Sequence, residues 1–483
     1  MKIYHFRTLN PEAKAIVLPI LQTENLSEDL RQIAEKYEIN FAFLQQDFKA
    51  DPKEVQTFYT SKNQKIILLG FGKKPDSSEV IRIFRTLIHQ YQTKLPNELS
   101  IDLTQLPESW IEWASNGCLL GTYNIKLYKT ETKAKAPLLS EEGVLNIISD
   151  SDSIEKLLEK GKATAETQMQ IFDLMNAPAN KKSPLTLVKW ALASGEKYKY
   201  SVNVLEKQQL KSQKLEALLA VGQGSEHAPM LIVMEYRSPQ ATKTIGLVGK
   251  GVTFDTGGIS IKSSSNMHLM KSDMGGAAAV FGAIELAAKL ELPVHLVGIV
   301  PACENSVDGK SFKPSDVIGS YSGKTIEVID TDAEGRLILA DGLSYLVKNF
   351  KVDAIVDLAT LTGSCISTLG YHAAGLFSNN DTLAQVLSEV ADQTGERLWR
   401  LPLWDVYKED LSSDIADVRN YSGKPMAGAI TAAKFLEVFI ENHPQWAHLD
   451  IAGTAFGDAE FAPQRAGTAF GIRLLVEFFG KYH

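Results

Sequence analysis

The sequence predicts an α/β protein of two domains: a smaller N-terminal α/β domain over residues 1–150 and a larger α/β domain over 179–483, the latter with a central, mostly parallel sheet flanked by helices. A helix over 151–178 connects them. Three observations predict this. At 483 residues the chain exceeds what one hydrophobic core ordinarily serves. Short apolar, β-branched runs alternate with helical periodicity in both parts, the pattern of strands and covering helices. Between the parts, around Lys129 to Glu142, the chain turns polar and loses periodicity, as a linker does.

In the N-terminal part, Ala15 to Ile20 and Lys65 to Leu69 read as strands, the second ended by Gly70 and Gly72. Ser27 to Tyr37 and Glu79 to Tyr91 read as helices. From Ser151 to Met175 the apolar positions Ile154, Leu157, Leu158, Ala165, Met169, Phe172 and Met175 follow helical spacing. Asp150 to Ser153 offer N-caps for that helix, and Asn176-Ala177-Pro178 stops it. Further on, Leu231 to Tyr236, Thr244 to Gly249, Val294 to Val300, Thr325 to Asp330, Ala354 to Leu358 and Trp446 to Ile451 read as buried strands. Gly276 to Leu290 and Leu337 to Phe350 read as helices between them. In such alternating sheets the working residues gather at the carboxyl edge of the strands.

Composition narrows the function classes. Apolar content of 44% and charged content of 22% are ordinary for a globular protein. No uninterrupted apolar run reaches the ~18 residues of a membrane-spanning helix, and the start lacks a basic segment followed by an apolar stretch, so neither a membrane span nor a secretory signal is expected. Cys118, Cys303 and Cys365 are widely spaced, which fits free thiols in a reducing, cytoplasmic setting. Residues 1–150 hold 18 Lys and Arg against 19 Asp and Glu, so most of the net charge of −8 lies in the second part. Neither part is basic, and no nucleic-acid partner is expected.

Three segments carry the chemistry. Gly249-Lys250-Gly251 runs on through Asp255, Gly257 and Gly258 to Lys262, just past a predicted strand. Lys271-Ser272-Asp273-Met274-Gly275-Gly276 precedes an alanine-rich helix. Asp330-Thr331-Asp332-Ala333-Glu334-Gly335-Arg336-Leu337 follows another predicted strand. Asp255, Asp273, Asp332 and Glu334 would thus meet at one sheet edge. Four carboxylates together repel one another, and at least one would stay protonated unless cations balance them. Two divalent ions would do so, and a metal pair ~3.5–4 Å apart suits hydrolysis by an ionised water. Oxygen ligands of this kind suit magnesium, manganese or zinc.

These segments closely resemble the leucyl (cytosol) aminopeptidase family. The family's Asn-Thr-Asp-Ala-Glu-Gly-Arg-Leu motif is matched from Thr331 to Leu337, with Asp330 standing where the family has Asn. The Lys250, Asp255, Lys262 pattern also matches, as do Lys271 to Gly276, Asn176 to Asn180, Ala359 to Gly363, Ala427 to Ala432 and His448 to Thr454. The resemblance covers roughly residues 170–475, making 179–483 the metallopeptidase domain. It implies a cytoplasmic, dinuclear metallo-aminopeptidase that removes N-terminal residues, leucine-like ones preferred, from peptide substrates as a homohexamer. Two divalent ions per subunit are implied, manganese or zinc, with magnesium or cobalt as alternatives. Asp255, Asp332 and Glu334 would hold one, with the Asp332 carbonyl; Lys250, Asp255, Asp273 and Glu334 would hold the other. Lys250 would then bind as a neutral amine, its pKa pushed far below the usual ~10.4 by the cations. Lys262 resembles the electrophile facing the oxyanion, and Arg336 the residue that holds a bicarbonate serving as general base. Met270, Thr360, Gly363, Ala452 and Ala455 resemble the lining of the pocket for the first side chain. Asp330 is expected to alter the ligand turn without abolishing activity.

Each residue has a plainer reading when taken alone. An isolated Asp-x-Glu is usually a solvated turn, and isolated lysines are usually surface ion-pair partners. His268 reads as structural, Cys365 as a buried thiol, and Ser322-Gly323-Lys324-Thr325 as a turn, because the glycine a phosphate loop needs is replaced by Ile318. Two further functions compete: a nucleic-acid-binding interaction protein, against which the balanced charge argues, and a hydrolase for a specialised dipeptide such as cysteinylglycine.

Overall fold

A computed structural model describes residues 1–131, 135–457 and 460–482. Residues 132–134 of the expected linker lie outside the described residues. The chain divides into two compact units, Met1–Met169 and Gln170–His483. The division falls inside one helix, Ile154–Asn176, in the stretch where the sequence predicts a connecting helix.

The first unit is built on a six-stranded sheet in the order Lys2–Phe6, Val144–Ile148, Glu98–Asp102, Ala15–Ile20, Lys65–Gly70, Val55–Tyr59. Every neighbouring pair is parallel except the last. Helices Ser77–Tyr91 and Ser109–Leu120 cover it. Asp76 and Glu79 form a reciprocal capping box at the start of the first of these. The inner faces of strands and helices meet in a core that includes Val17, Ile67, Phe84, Ile101 and Trp110.

The second unit has a sheet in the order Leu398–Arg400, Ala374–Ser378, Trp446–Asp450, Ala354–Ala359, Thr244–Gly249, His295–Asn305, Met230–Arg237, Ser201–Leu205. Its four central strands are parallel, as the continuous apolar runs of buried strands predict. Antiparallel pairs appear at three junctions nearer the edges. The short strand Gly251–Asp255 leaves the main path and pairs in parallel with His295–Asn305, which outlasts its predicted end at Val300. Helix Gly275–Lys289 is buried on every side as far as Ala288, and its glycines and alanines permit that. Helix Glu334–Asn349 is buried as far as Leu346.

One predicted element is corrected. Thr325 to Asp330 is not a strand of the main sheet; only Ile326–Glu327 is extended, in a separate three-stranded sheet with Val317–Ile318 and Val418–Arg419. The reason is local. The amide oxygen of Asn420 accepts the backbone N–H groups of Ile329 (2.8 Å) and Asp330 (3.3 Å), so those donors are taken by a side chain rather than a ladder.

The start of helix Gly275–Lys289 is pressed against the sheet edge. The Ala277 N–H donates to the Lys250 carbonyl at 2.9 Å, and a Cβ on Gly276 would lie 1.9 Å from the Leu358 carbonyl oxygen. Both neighbours are backbone and cannot yield. Gly276→Ala is therefore expected to lower stability by about 1–3 kcal/mol or more, read as a drop in Tm, whereas an alanine at the open position Gly309 leaves Tm within error.

Candidate active site

Three chain segments converge at the carboxyl edge of the central strands. Strand Thr244–Gly249 delivers Lys250, whose N–H donates to Leu358 O on the neighbouring strand at 3.1 Å. The side chain of Lys250 then lies against the start of helix Glu334–Asn349. It fits because residue 335 is glycine: a Cβ there would sit 2.7–2.8 Å from the last three atoms of the lysine. Strand Gly251–Asp255 ends on Asp255, opposite Asn305. Gly257 and Gly258 follow with φ of +86° and +65°, a turn that favours glycine. That turn is knitted to the Asp330–Asp332 loop by Thr331. Its hydroxyl donates to Gly257 O (2.7 Å) and accepts from Ser260 N–H (2.8 Å).

Oxygens of Asp255, Asp273 and Glu334 lie within 4.8 Å of one another, all buried. Asp332 adjoins them through Lys262. The Lys262 ammonium is 2.9 Å from Asp255 Oδ2 and also contacts Asp332 Oδ1. The Lys250 ammonium is 2.7 Å from Asp273 Oδ2 and 2.8 Å from Glu334 Oε1, and donates to Thr360 O at 2.9 Å. Around this core Thr360 Oγ1 donates to Asp273 Oδ1 (2.8 Å), while Asp255 Oδ1 accepts from Asn305 Nδ2 (2.8 Å) and Gly257 N–H (2.9 Å). Among the described residues, and apart from the lysine ion pairs, no hydrogen bond reaches the buried oxygens Asp273 Oδ2, Asp332 Oδ1 or Glu334 Oε1.

The electrostatics follow from burial. Loss of solvent pushes the Asp273 carboxyl up to about 8, with Glu334 and Asp255 adding repulsion that Lys250 only partly offsets. Burial also pushes Asp332 up to about 7, reinforced by Asp255 and Glu334 against Lys262. Glu334 is raised for the same reasons. Burial alone would lower Lys250 and Lys262, yet the surrounding carboxylates outweigh it and hold both ammonium groups protonated. Two cations thus face four acidic groups, and the balance is met by retained protons. Convergent hard oxygens with open lone pairs are a fitting donor set for divalent ions.

Each expected residue can now be placed. Lys250, Asp255, Lys262, Asp273, Asp332, Glu334 and Arg336 all border one cleft of about 730 Å³, and so do Met270, Thr360, Gly363 and Ala452. Ala455, expected to line the pocket, does not border the cleft: it is buried, with its Cβ 2.9 Å from the position a Cβ on Gly275 would take. Arg336 is buried; one Nη donates to Asn420 O at 2.9 Å, while its Nε has no partner. His268 is exposed on a short 3-10 turn, Ser320 to Gly323 close a hydrogen-bonded turn, and burial pushes the Cys365 thiol up to about 12.

The Asp330 departure has a local account. Its Oδ1 accepts the Asp332 N–H at 2.9 Å, an Asx turn that an asparagine oxygen would make equally well. Sequence reasoning missed Asn305 and Asn420. Asn420 donates to Asp330 O at 2.6 Å, besides binding Ile329, Asp330 and Arg336, and so laces the ligand loop together. No motif marks it in the sequence. Asn305 had a weak signal, a polar residue closing a long apolar strand at the working edge.

Comparison with known proteins gives a consistent result. The model of the cytosol aminopeptidase family, catalytic domain, matches residues 171–476. A probable cytosol aminopeptidase of Chlorobium phaeobacteroides is 40% identical over 98% of this chain and 97% of its own. Another, of Chlorobium luteolum, is 47% identical over 78% of this chain and 77% of its own. Among solved structures, the cytosol aminopeptidase of Coxiella burnetii superposes with a TM-score of 0.85 at 29% identity, covering 99% of both chains. The bottromycin maturation enzyme BotP in complex with Mn gives 0.84 at 29% identity, covering 97% of this chain and 99% of its own.

The retained protons set a pH dependence. Divalent ions need ionised carboxylates, so uptake at this cluster would displace protons from Asp273 and Asp332. Apparent Mn2+ affinity is expected to rise with pH between about 6 and 8, with proton release measurable by calorimetry in buffers of different ionisation enthalpy. The metal-free chain should behave oppositely. Its folded carboxyls are raised above their unfolded values, so it binds more protons than the unfolded chain and loses stability as pH climbs toward about 8. Tm of chelated protein followed from pH 5 to pH 8 checks the sign.

Proposed function

The chain belongs to the cytosol aminopeptidase family and is a metal-dependent hydrolase that removes N-terminal residues from peptides; from that premise we propose which residues do this and what they select. The carrying observation is the convergence of Asp255, Asp273 and Glu334 within 4.8 Å, ringed by Lys250, Lys262 and Asp332. We assign Asp255, Asp273, Asp332 and Glu334 to hold two divalent ions per chain, with Lys250 joining them as the neutral amine, which requires the entering cations to displace the proton that the carboxylates otherwise keep on it. Manganese is favoured, since BotP was solved with Mn, and zinc, magnesium or cobalt are compatible with the same donors. When bound, such ions supply Lewis acidity, lowering the pKa of water and polarising the scissile carbonyl.

The chain's own residues do the rest. Lys262 is partly exposed to the cleft and kept protonated by the acidic groups around it, so it presents a full positive charge where the tetrahedral oxyanion develops. Asp255 and Asp332, which now pair with Lys262, are among the residues that would hold the ions, and with those carboxylates so engaged the Lys262 donors would be free to face the substrate. Arg336 keeps one arm on Asn420 O and has an unsatisfied Nε, a geometry that suits a small planar anion; bicarbonate held there would supply the general base. Met270, Thr360, Gly363 and Ala452 offer a small uncharged stretch of the cleft wall that would favour leucine-like first side chains. Ala455 supports that wall from behind Gly275. The cytosol in the relatives' names supports a cytoplasmic location, and the family resemblance supports a homohexamer.

Leucine p-nitroanilide hydrolysis with added Mn2+ tests this. Chelation should abolish turnover and Mn2+ should restore it. Lys262→Ala should lower kcat by about 10²–10³-fold with Mn2+ binding retained, the loss expected for one oxyanion-stabilising group. Wild-type kcat in that variant would remove Lys262 from the mechanism. Arg336→Ala should lower kcat by about 10²-fold or more, as loss of a general base does.

A further inference from the structure

Lys182 is a lysine with almost no access to solvent and, among the described residues, no carboxylate partner. It is 1% exposed, and its ammonium donates to three carbonyl oxygens: Leu174 at 3.0 Å, Met175 at 2.9 Å and Lys271 at 2.5 Å. Two of these belong to the last turn of helix Ile154–Asn176, where carbonyls lack helical partners and the helix dipole favours a cation. The third belongs to the short 3-10 turn Met267–Ser272. An ammonium has three donors, and all three are used.

What the clamp joins gives it meaning. Lys271 sits between Met270, which borders the cleft, and Asp273, whose carboxylate meets Lys250 and Glu334. Asp273 N–H donates to Met270 O at 3.2 Å, so the three residues move as one turn. On the other side, Met175 packs behind the site: its Cε would lie 3.6 Å from a Cβ on Gly275, and its Cβ 2.7 Å from one on Gly467. The Gly467 N–H donates to Asn176 Oδ1 at 3.1 Å. The helix end is therefore a fixed backing, and the Lys182 ammonium ties the Asp273 turn to it.

We propose that Lys182 is a positioning residue for the active site, holding the Met270–Asp273 turn at its distance from Lys250 and Glu334 through the carbonyl of Lys271. This rests on the reading of Asp273 as a metal ligand. A clamp of this kind acts at one remove from the ion, where loss of a supporting hydrogen bond costs about 10–100-fold in metal affinity. Burial pulls the lysine down to about 7, with Lys271 adding repulsion, so the carbonyl oxygens are what its charged form depends on.

The test is Mn2+ affinity of the full-length protein, measured by competition with a chelating dye, together with Tm. Four proteins are compared: wild type, Lys182→Met, Asp273→Asn and, as a control, Glu396→Gln. Glu396 is a buried anchor that accepts from Gly471 and Leu474 N–H at the start of helix Ile472–Lys481. If Lys182→Met fails to fold, Lys182→Gln, which keeps two donors, replaces it. The expected result is a 10–100-fold weaker Mn2+ affinity in the Lys182 variant, with Glu396→Gln losing Tm but binding Mn2+ as wild type does. Wild-type affinity in the Lys182 variant, or an equal loss in the Glu396 variant, overturns the proposal while an Asp273→Asn loss leaves the ligand reading standing. Wild-type affinity in Asp273→Asn overturns both.

Discussion

Everything at this site depends on the repulsion among acidic groups held together out of water. Asp255, Asp273 and Glu334 are almost fully buried within one another's reach, with Asp332 beside them. In a low-dielectric surrounding such a group is tolerated only if cations or protons cancel it. Lys250 and Lys262 cancel half, and raised carboxyl pKa values answer for the remainder. The same imbalance makes the site useful. Oxygens with open lone pairs and labile protons are a fitting donor set for divalent ions, and on the proposed reading a lysine freed from those carboxylates would be available to a substrate.

The fold supplies this arrangement through close backbone approach more than through side-chain bulk. Gly276 lets a helix start touch the strand end at Lys250, and Gly335 lets the lysine chain lie across a second helix start. Gly257 and Gly258 turn the chain back so that Lys262 faces the acid it follows. Neutral amides then fix the loops. Asn305 grips Asp255 and Thr331 O, and Asn420 grips both sides of Asp330. Amides add no charge, which matters where charge is already in excess.

Much of this was legible in the sequence for identifiable reasons. Buried parallel strands such as Thr244–Gly249 and Ala354–Ala359 are continuous apolar runs, and strong periodicity marks the long helix before Asn176. The acidic and lysine positions stood out only as a set, through the charge they would bring to one sheet edge and the motifs of three segments, since each alone reads as a solvated turn or a surface ion pair. What stayed hidden depends on partners distant in the chain. The Thr325 to Asp330 run has strand composition, but Asn420, ninety residues later, captures its backbone. Ala455 belongs to the site's architecture only through packing behind Gly275. Lys182 looks like a surface lysine in sequence, and only three converging carbonyls reveal that it is interior.

Crystals of the Mn2+-soaked protein, measured at the manganese absorption edge, show whether dications cancel the buried charge. Two anomalous peaks per chain among Asp255, Asp273, Asp332 and Glu334, with the Lys262 ammonium withdrawn from both aspartates, are what charge cancellation by a dication pair predicts. A cluster that stays free of manganese at saturating Mn2+, with both lysines still seated among the carboxylates, would contradict it.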